Sequence, residues 1–246
     1  MHILVTNDDG IYSPGIRVLA EAAKNFGKVR IVAPNVEQSS MGHAITASRP
    51  LTYHKTPIGD FEAYRVDGTP ADCVALGAYH WEKVNLVLSG INLGSNLGNS
   101  IWHSGTLAAA KQASLLGIRG FAFSAPVTRS EPNFKAIVPY LEKVIDLLIN
   151  NCRFPLINVN FPENPKGIRW TAQSVRHYDG DMVPGKDPMG RQHYWFTVKP
   201  IEVTEKDSDR WAVEHGFVSL TPLRIDLTNE IELELAKKEC HMDITV

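Results

Sequence analysis

Short, largely apolar runs recur along the first two thirds of the chain, and each stops at a polar or turn-forming residue. Ile3-Leu4-Val5 runs into Asn7-Asp8-Asp9, Val29 to Ala33 ends at Pro34, and Leu86-Val87-Leu88 ends in Ser-Gly-Ile-Asn. Phe121-Ala122-Phe123 ends at Ser124, and Leu156 to Val159 ends at Asn160. Such runs predict strands buried on both faces, as in a parallel sheet covered by helices. Between them the apolar period lengthens to that of a helix. Ser13-Pro14 reads as an N-cap with proline at the first helical position, followed by Ile16, Leu19, Ala20, Ala23 and Phe26, with Gly27 closing the helix. Thr106 to Leu116 is alanine-rich and closed by Gly117. Asn133 to Ile149 carries Phe134, Ile137, Val138, Leu141, Val144, Ile145 and Leu148 on one stripe, with Pro139 inside it. Alternation of this kind over residues 1–165 predicts an α/β fold, a Rossmann-like doubly wound core with a mainly parallel sheet.

The pattern changes after residue 165. Residues 179–192 are polar and turn-rich; His193 to Val198 and Phe217 to Leu220 read as strands, and the last 20 residues as partly helical. Residues 166–246 therefore form a carboxy-terminal extension of hairpin, strand and helix that packs on the core and on partner subunits. Tyr194, Trp195 and Phe196 are consecutive, so both faces of their strand are aromatic. A subunit interface is the expected cover.

Composition narrows the function classes. The 246 residues are 43% hydrophobic and 21% charged, with 25 basic against 27 acidic residues. This balance argues against long nucleic acid or an anionic membrane as partner, but leaves room for a local phosphate site. Cys73, Cys152 and Cys240 are widely spaced and in no metal-like arrangement, which fits a reducing compartment. No signal-like segment opens the chain and no window is long and apolar enough to span a bilayer, so a cytoplasmic location is expected.

In an open parallel sheet, ligands bind beyond the carboxyl ends of the strands. Asp8 and Asp9 follow the first strand, Ser39 and Ser40 the second, and Asn92 and Asn96 lie in 89-SGINLGSNLGNS-100. Two carboxylates, a serine hydroxyl and an amide oxygen are hard donors suited to magnesium, manganese or calcium. Adjacent aspartates repel, and a helix cap needs only one. Ser104-Gly105-Thr106 starts a helix, where free backbone N–H groups and the positive end of the dipole favour a phosphate. Neither a Walker lysine motif nor a dinucleotide glycine fingerprint is present. His43 and His103 neighbour the same rim as candidates to protonate a leaving group.

The combination of VTNDDG-I-x-x-PG, the AP-x-x-x-x-S loop, GTPADCV at 68–74, SGIN-x-G-x-N-x-G and SGT-x-x-AA resembles the SurE family of stationary-phase survival proteins. Downstream, 186-KDPMGRQHYW-195 and 215-HGFVSLTPLRIDLT-228 are similar to the family's carboxy-terminal part. The resemblance implies a metal-dependent phosphomonoesterase acting on nucleoside 5′- and 3′-monophosphates, often with activity on short polyphosphate, assembled as a homodimer or homotetramer. It implies one divalent cation per subunit, Mg2+ or Mn2+, held by Asp8, Asp9, Ser39 and Asn92. It also implies that Asn96, Ser104, Gly105 and Thr106 bind phosphate; Asp8 and Asp9 are the candidate catalytic residues, with Asp8 either a general base for water or a covalent nucleophile. Asn35 departs from the Asp that many members have after Ala-Pro. The alternative is a nucleotide- or phosphate-binding regulatory protein without turnover.

Overall fold

The computed structural model describes residues 1–127, 132–174, 179–199 and 204–239. Its main sheet has nine strands: β1 (His2–Thr6), β2 (Lys28–Pro34), β3 (Tyr53–Lys55), β4 (Glu62–Val66), β5 (Leu86–Leu93), β6 (Arg119–Ala125), β7 (Leu156–Asn160), β8 (Gly167–Trp170) and β11 (Phe217–Pro222). They lie in the order β3-β4-β2-β1-β5-β6-β7-β11-β8. The pairings from β4 through β7 are parallel; β3 and β11 pair antiparallel with β4 and β7. β9 (Asp179–Lys186) and β10 (Gln192–Lys199) form a separate antiparallel hairpin.

The strands are buried on both faces because helices cover both. α1 (Pro14–Ala23) and α4 (Phe134–Asn150) pack with Ile3, Val5, Leu86, Leu88, Phe121 and Phe123 in the larger core. α2 (Pro70–His80) and α3 (Gly105–Leu115) bring Cys73, Val74, Ala109 and Ala113 against Leu4, Val32 and Val87 on the other face. α5 (Asp209–Glu214) lies between β10 and β11 in the chain, and α6 (Glu230–Glu239) ends the described chain without burying a residue. The doubly wound, mainly parallel architecture expected from the sequence is the one observed.

Several elements differ from the sequence pattern for identifiable reasons. α1 ends at Ala23, with Lys24 in right-handed helical conformation as its C-cap, so Gly27 does not close it. Gly27 instead runs so close to the Met1 carbonyl that a Cβ would collide with it. Ser13 occupies the N-cap position, yet its side chain makes no capping bond. The polar stretch from Asp179 is a strand, because its pairing partner β10 supplies the ladder that its composition does not advertise. β3, β4 and α2 carry no strong apolar run. α2 begins instead with a capping box, in which Thr69 Oγ1 accepts from Asp72 N at 3.2 Å and Asp72 accepts from Thr69 N at 2.9 Å.

α4 runs through Pro139, which sits on the exposed face. Cys73 and Cys152 are free thiols; Cys240 lies outside the described residues. Among the described residues no helix is long and apolar enough to cross a membrane.

Candidate active site

The strand order reverses at β1, which has β2 on one side and β5 on the other. Loops leaving β1 and β5 therefore part at their carboxyl ends and open a crevice. Asp8 and Asp9 enter it from β1. Asn7 Nδ2 donates to Gly10 O at 2.9 Å, and Gly10 takes a positive φ of 93° to turn the chain sharply back. The loop after β2 docks on this turn, with Gln38 N donating to Asp8 O at 2.7 Å, and so brings Ser39 to the same rim. β5 runs past its apolar stretch to Leu93 with a register shift between Ser89 and Asn92, which delivers Asn92 to the crevice. Asn92 Nδ2 donates to Gly94 O at 2.8 Å, leaving Oδ1 as the atom to meet a ligand.

Asp8 is the centre of this arrangement. It is only 4% exposed, and Thr106 Oγ1 donates to its Oδ1 at 2.6 Å. A Cβ at Gly105 would lie 2.7 Å from Asp8 Cβ and 2.9 Å from Oδ2, so only glycine lets the start of α3 come this close. Ser104 caps α3 by accepting from Leu107 N at 3.1 Å. The carboxylate pair from β1 and the helix start anticipated as an anion site thus meet at one point.

Burial is the main influence on both aspartates and pushes both carboxyls up. For Asp8 the Thr106 hydrogen bond pulls the other way. Asp9 is raised to about 7 by burial and then by the charge of Asp8, against the hydrogen bond from Leu93 N at 3.3 Å. Glu37, which accepts from Ser39 Oγ at 2.6 Å, adds to the negative field on both. Among the described residues no cationic side chain is paired with either aspartate. Two crowded carboxylates without a counter-charge, beside neutral oxygens of Ser39 and Asn92, fit a hard divalent cation. No group of three or more His, Cys, Asp or Glu suited to a metal lies among the described residues, so any cation here would depend on those neutral donors.

The residues expected to bind phosphate sit beside Asp8, and Asn96 completes the set. Asn96 is buried and locked: its N–H donates to Asn160 Oδ1 at 2.8 Å, and its carbonyl accepts from Asn158 Nδ2 and Asn160 Nδ2 at 2.8 and 2.9 Å. Its Nδ2 donates to Ser124 Oγ at 2.8 Å and only weakly, at 3.5 Å, to Thr106 Oγ1. A cleft of about 1080 Å³ is lined by Asp8, Ser39, Asn92, Asn96 and Ser104, together with His103, Trp102 and Phe196. Asp9 borders a smaller cavity of about 440 Å³ that Ser39 also lines. His43 is exposed and turns to Gln112 Oε1 at 2.9 Å, whereas His103 faces the cleft.

Sequence reasoning did not find the contacts that hold this set in place. Thr106, expected to face phosphate, braces Asp8 here. Ser124 and Asn160, which brace Asn96, did leave a signal, since each is the polar residue ending a buried apolar strand. Phe196 stood out only as part of the aromatic strand expected at a subunit interface; it lines the cleft from a hairpin far along the chain. Its neighbours share its exposure, with Tyr194, Trp195 and Phe196 at 57%, 66% and 69%.

Fold and site together define a class: a doubly wound α/β protein in which a hard-oxygen donor set and a helix N-terminus converge at the switch point of the sheet. A family model described as Survival protein SurE matches residues 3–180, and the chain belongs to the SurE family. It is 44% identical over 234 residues to the 5′-nucleotidase SurE 1 of Thermus thermophilus, covering 93% of each chain. To the 5′-nucleotidase SurE of Deinococcus radiodurans it is 41% identical, covering 92% of this chain and 88% of the relative. The crystal structure of the SurE protein from Aquifex aeolicus superposes with a TM-score of 0.83 at 39% identity, covering 97% of this chain and 99% of that one.

Proposed function

We propose that this chain is a metal-dependent 5′-nucleotidase that hydrolyses nucleoside 5′-monophosphates, and also 3′-monophosphates and short polyphosphate, to release phosphate. The observation that carries the reading is the contact of Asp8 with the start of α3, made by the Thr106 hydrogen bond and possible only with glycine at 105. A carboxylate held beside an anion site has a role when a phosphoryl group and its attacking water meet there. The names of the relatives point to the same substrate class. A non-catalytic binding protein has no use for a buried carboxylate facing the bound anion.

Asp8, Asp9, Ser39 and Asn92 would hold one Mg2+ or Mn2+, which when bound would supply positive charge to offset that of the phosphoryl group. The N–H groups at Ser104 and Gly105 and the Asn96 amide proton held only at 3.5 Å by Thr106 Oγ1 stabilise charge on the equatorial oxygens, while Thr106 itself serves Asp8. Asp8 takes a proton from the attacking water as its oxygen bonds to phosphorus. Thr106 fixes Oδ1 so that the second oxygen is turned to this task. As the bond to the ribose oxygen breaks, His103 gives that oxygen a proton. The exposed aromatic hairpin joins subunits into a homodimer or homotetramer, and the free thiols suit a cytoplasmic setting. The test is release of inorganic phosphate from AMP with manganese present. Turnover that survives excess chelator would remove the metal from this account, and tight AMP binding without turnover would leave a binding protein.

A further inference from the structure

We infer that Asp209, on α5 and far along the chain from Asn96 and Ser104, is a positioning residue for the wall of the site that those two residues form. The inference rests on the hydrolase reading above for its kinetic part and on geometry alone for the rest. Asp209 is fully buried, and among the described residues its carboxylate has no cationic partner; hydrogen bonds hold it. Oδ2 accepts from Gly98 N at 2.8 Å. Oδ1 accepts from Ser174 N at 3.0 Å, Ser174 Oγ at 2.6 Å and Arg210 N at 2.7 Å. A buried carboxylate is tolerated only when its lone pairs are filled in this way.

What the carboxylate grips is the segment that matters to the site. Gly98 opens the short 3-10 turn Gly98–Trp102, which lies between Asn96 and the Ser104 cap of α3. The Gly98 carbonyl is held too, by Gln173 Nε2 at 3.1 Å. Gly98 has a positive φ of 54°, and a Cβ there would lie 2.8 Å from Ser174 Oγ. Both backbone groups of Gly98 are thus clamped by the segment around Ser174 and α5, and nothing but glycine fits the clamp. Asn96 is locked on one side by Ser124 and Asn160; Asp209 locks the other end of the same loop. The carboxy-terminal part of the chain therefore takes part in shaping the site.

The tests are hydrogen exchange and kinetics on Asp209→Asn. This change keeps the shape but places an NH2 group against donors, so one of the bonds to Gly98 or Ser174 must fail. Amide exchange in the segment 96–102 is expected to quicken at least ~10-fold while β1 and α3 keep their protection. With AMP and manganese, kcat per folded site is expected to fall ~10- to 100-fold, with KM and manganese affinity nearly unchanged. Arg210→Gln, which removes only the surface pair with Glu214 and leaves the backbone N–H of residue 210 in place, is expected to behave as wild type. If Asp209→Asn does not fold, Gln173→Ala removes the other clamp and is expected to show the same exchange pattern more weakly. Unchanged exchange at 96–102 overturns the inference, as does quickened exchange with unchanged kcat. A wild-type protein without turnover sinks the hydrolase reading instead, and the exchange result still decides the anchor.

Discussion

The substitution Asp9→Asn is expected to stabilise the metal-free protein while weakening its hold on a cation. Asp9 is raised from an ordinary 3.8 to about 7 by burial and by the neighbouring Asp8 charge. Its folded value lies above its unfolded one, so between those limits the folded chain keeps a proton that the unfolded chain has released. The stability tied to that proton is fully present below about pH 4 and is lost as pH rises through about 7. A shift of about 3 units is worth about 4 kcal/mol, and partial exposure of Asp9 to screening water reduces this to ~2 kcal/mol. The asparagine side chain carries no charge at any pH, and its oxygen can still accept from Leu93 N. In excess chelator, urea unfolding of Asp9→Asn and wild type should therefore give equal stabilities near pH 4. The variant should lead by ~2 kcal/mol at pH 8, roughly 4 to 8 °C in Tm. Saturating manganese should reverse the order at pH 8 by binding the folded wild type. A difference that does not change with pH, or a variant less stable than wild type at pH 8 without metal, would refute the reasoning.

Asp8→Asn should stay at least ~100-fold below wild type in kcat even at saturating manganese, whereas excess metal should restore part of the activity of Asp9→Asn; steady-state kinetics across a metal titration separates the two. Gly105→Ala, whose methyl would press on Asp8, should lower kcat ~100-fold with a smaller effect on the melting temperature, and near-wild-type turnover would mean that the close approach is dispensable. Replacing Tyr194 and Trp195 by polar residues should shift sedimentation towards smaller species. If size is unchanged, the hairpin is not the interface; if activity vanishes with metal binding intact, the site is completed across subunits.

Much of the architecture was legible because its strands are short and buried on both faces. β1, β2, β6 and β7 each stand out as an apolar run closed by a polar or turn-forming residue, and α3 and α4 stand out as helices, one alanine-rich and one with a plain apolar stripe. Elements held by partners were not legible. β9 is polar and becomes a strand only through β10, and β4 lies beside β2 without a strong run of its own. Gly27 shows the limit of a local rule: the glycine was visible, but its reason is the Met1 backbone passing in space.

The site divides along the same line. That the loops carrying Asp8, Asp9, Ser39, Asn92, Asn96 and Ser104 to Thr106 meet on one rim was readable from the chain, because strand ends are local properties and a parallel sheet gathers them on one side. That Thr106 braces Asp8, that Asn96 is locked by Ser124 and Asn160, and that Asp209 reaches back to Gly98 were decided only by the tertiary structure. Gly98 and Asp209 are 111 residues apart, and a hydrogen bond is made at about 3 Å, a distance that sequence order does not encode. Residue types are set one position at a time, whereas the precision of a site comes from contacts that exist only when distant segments have packed.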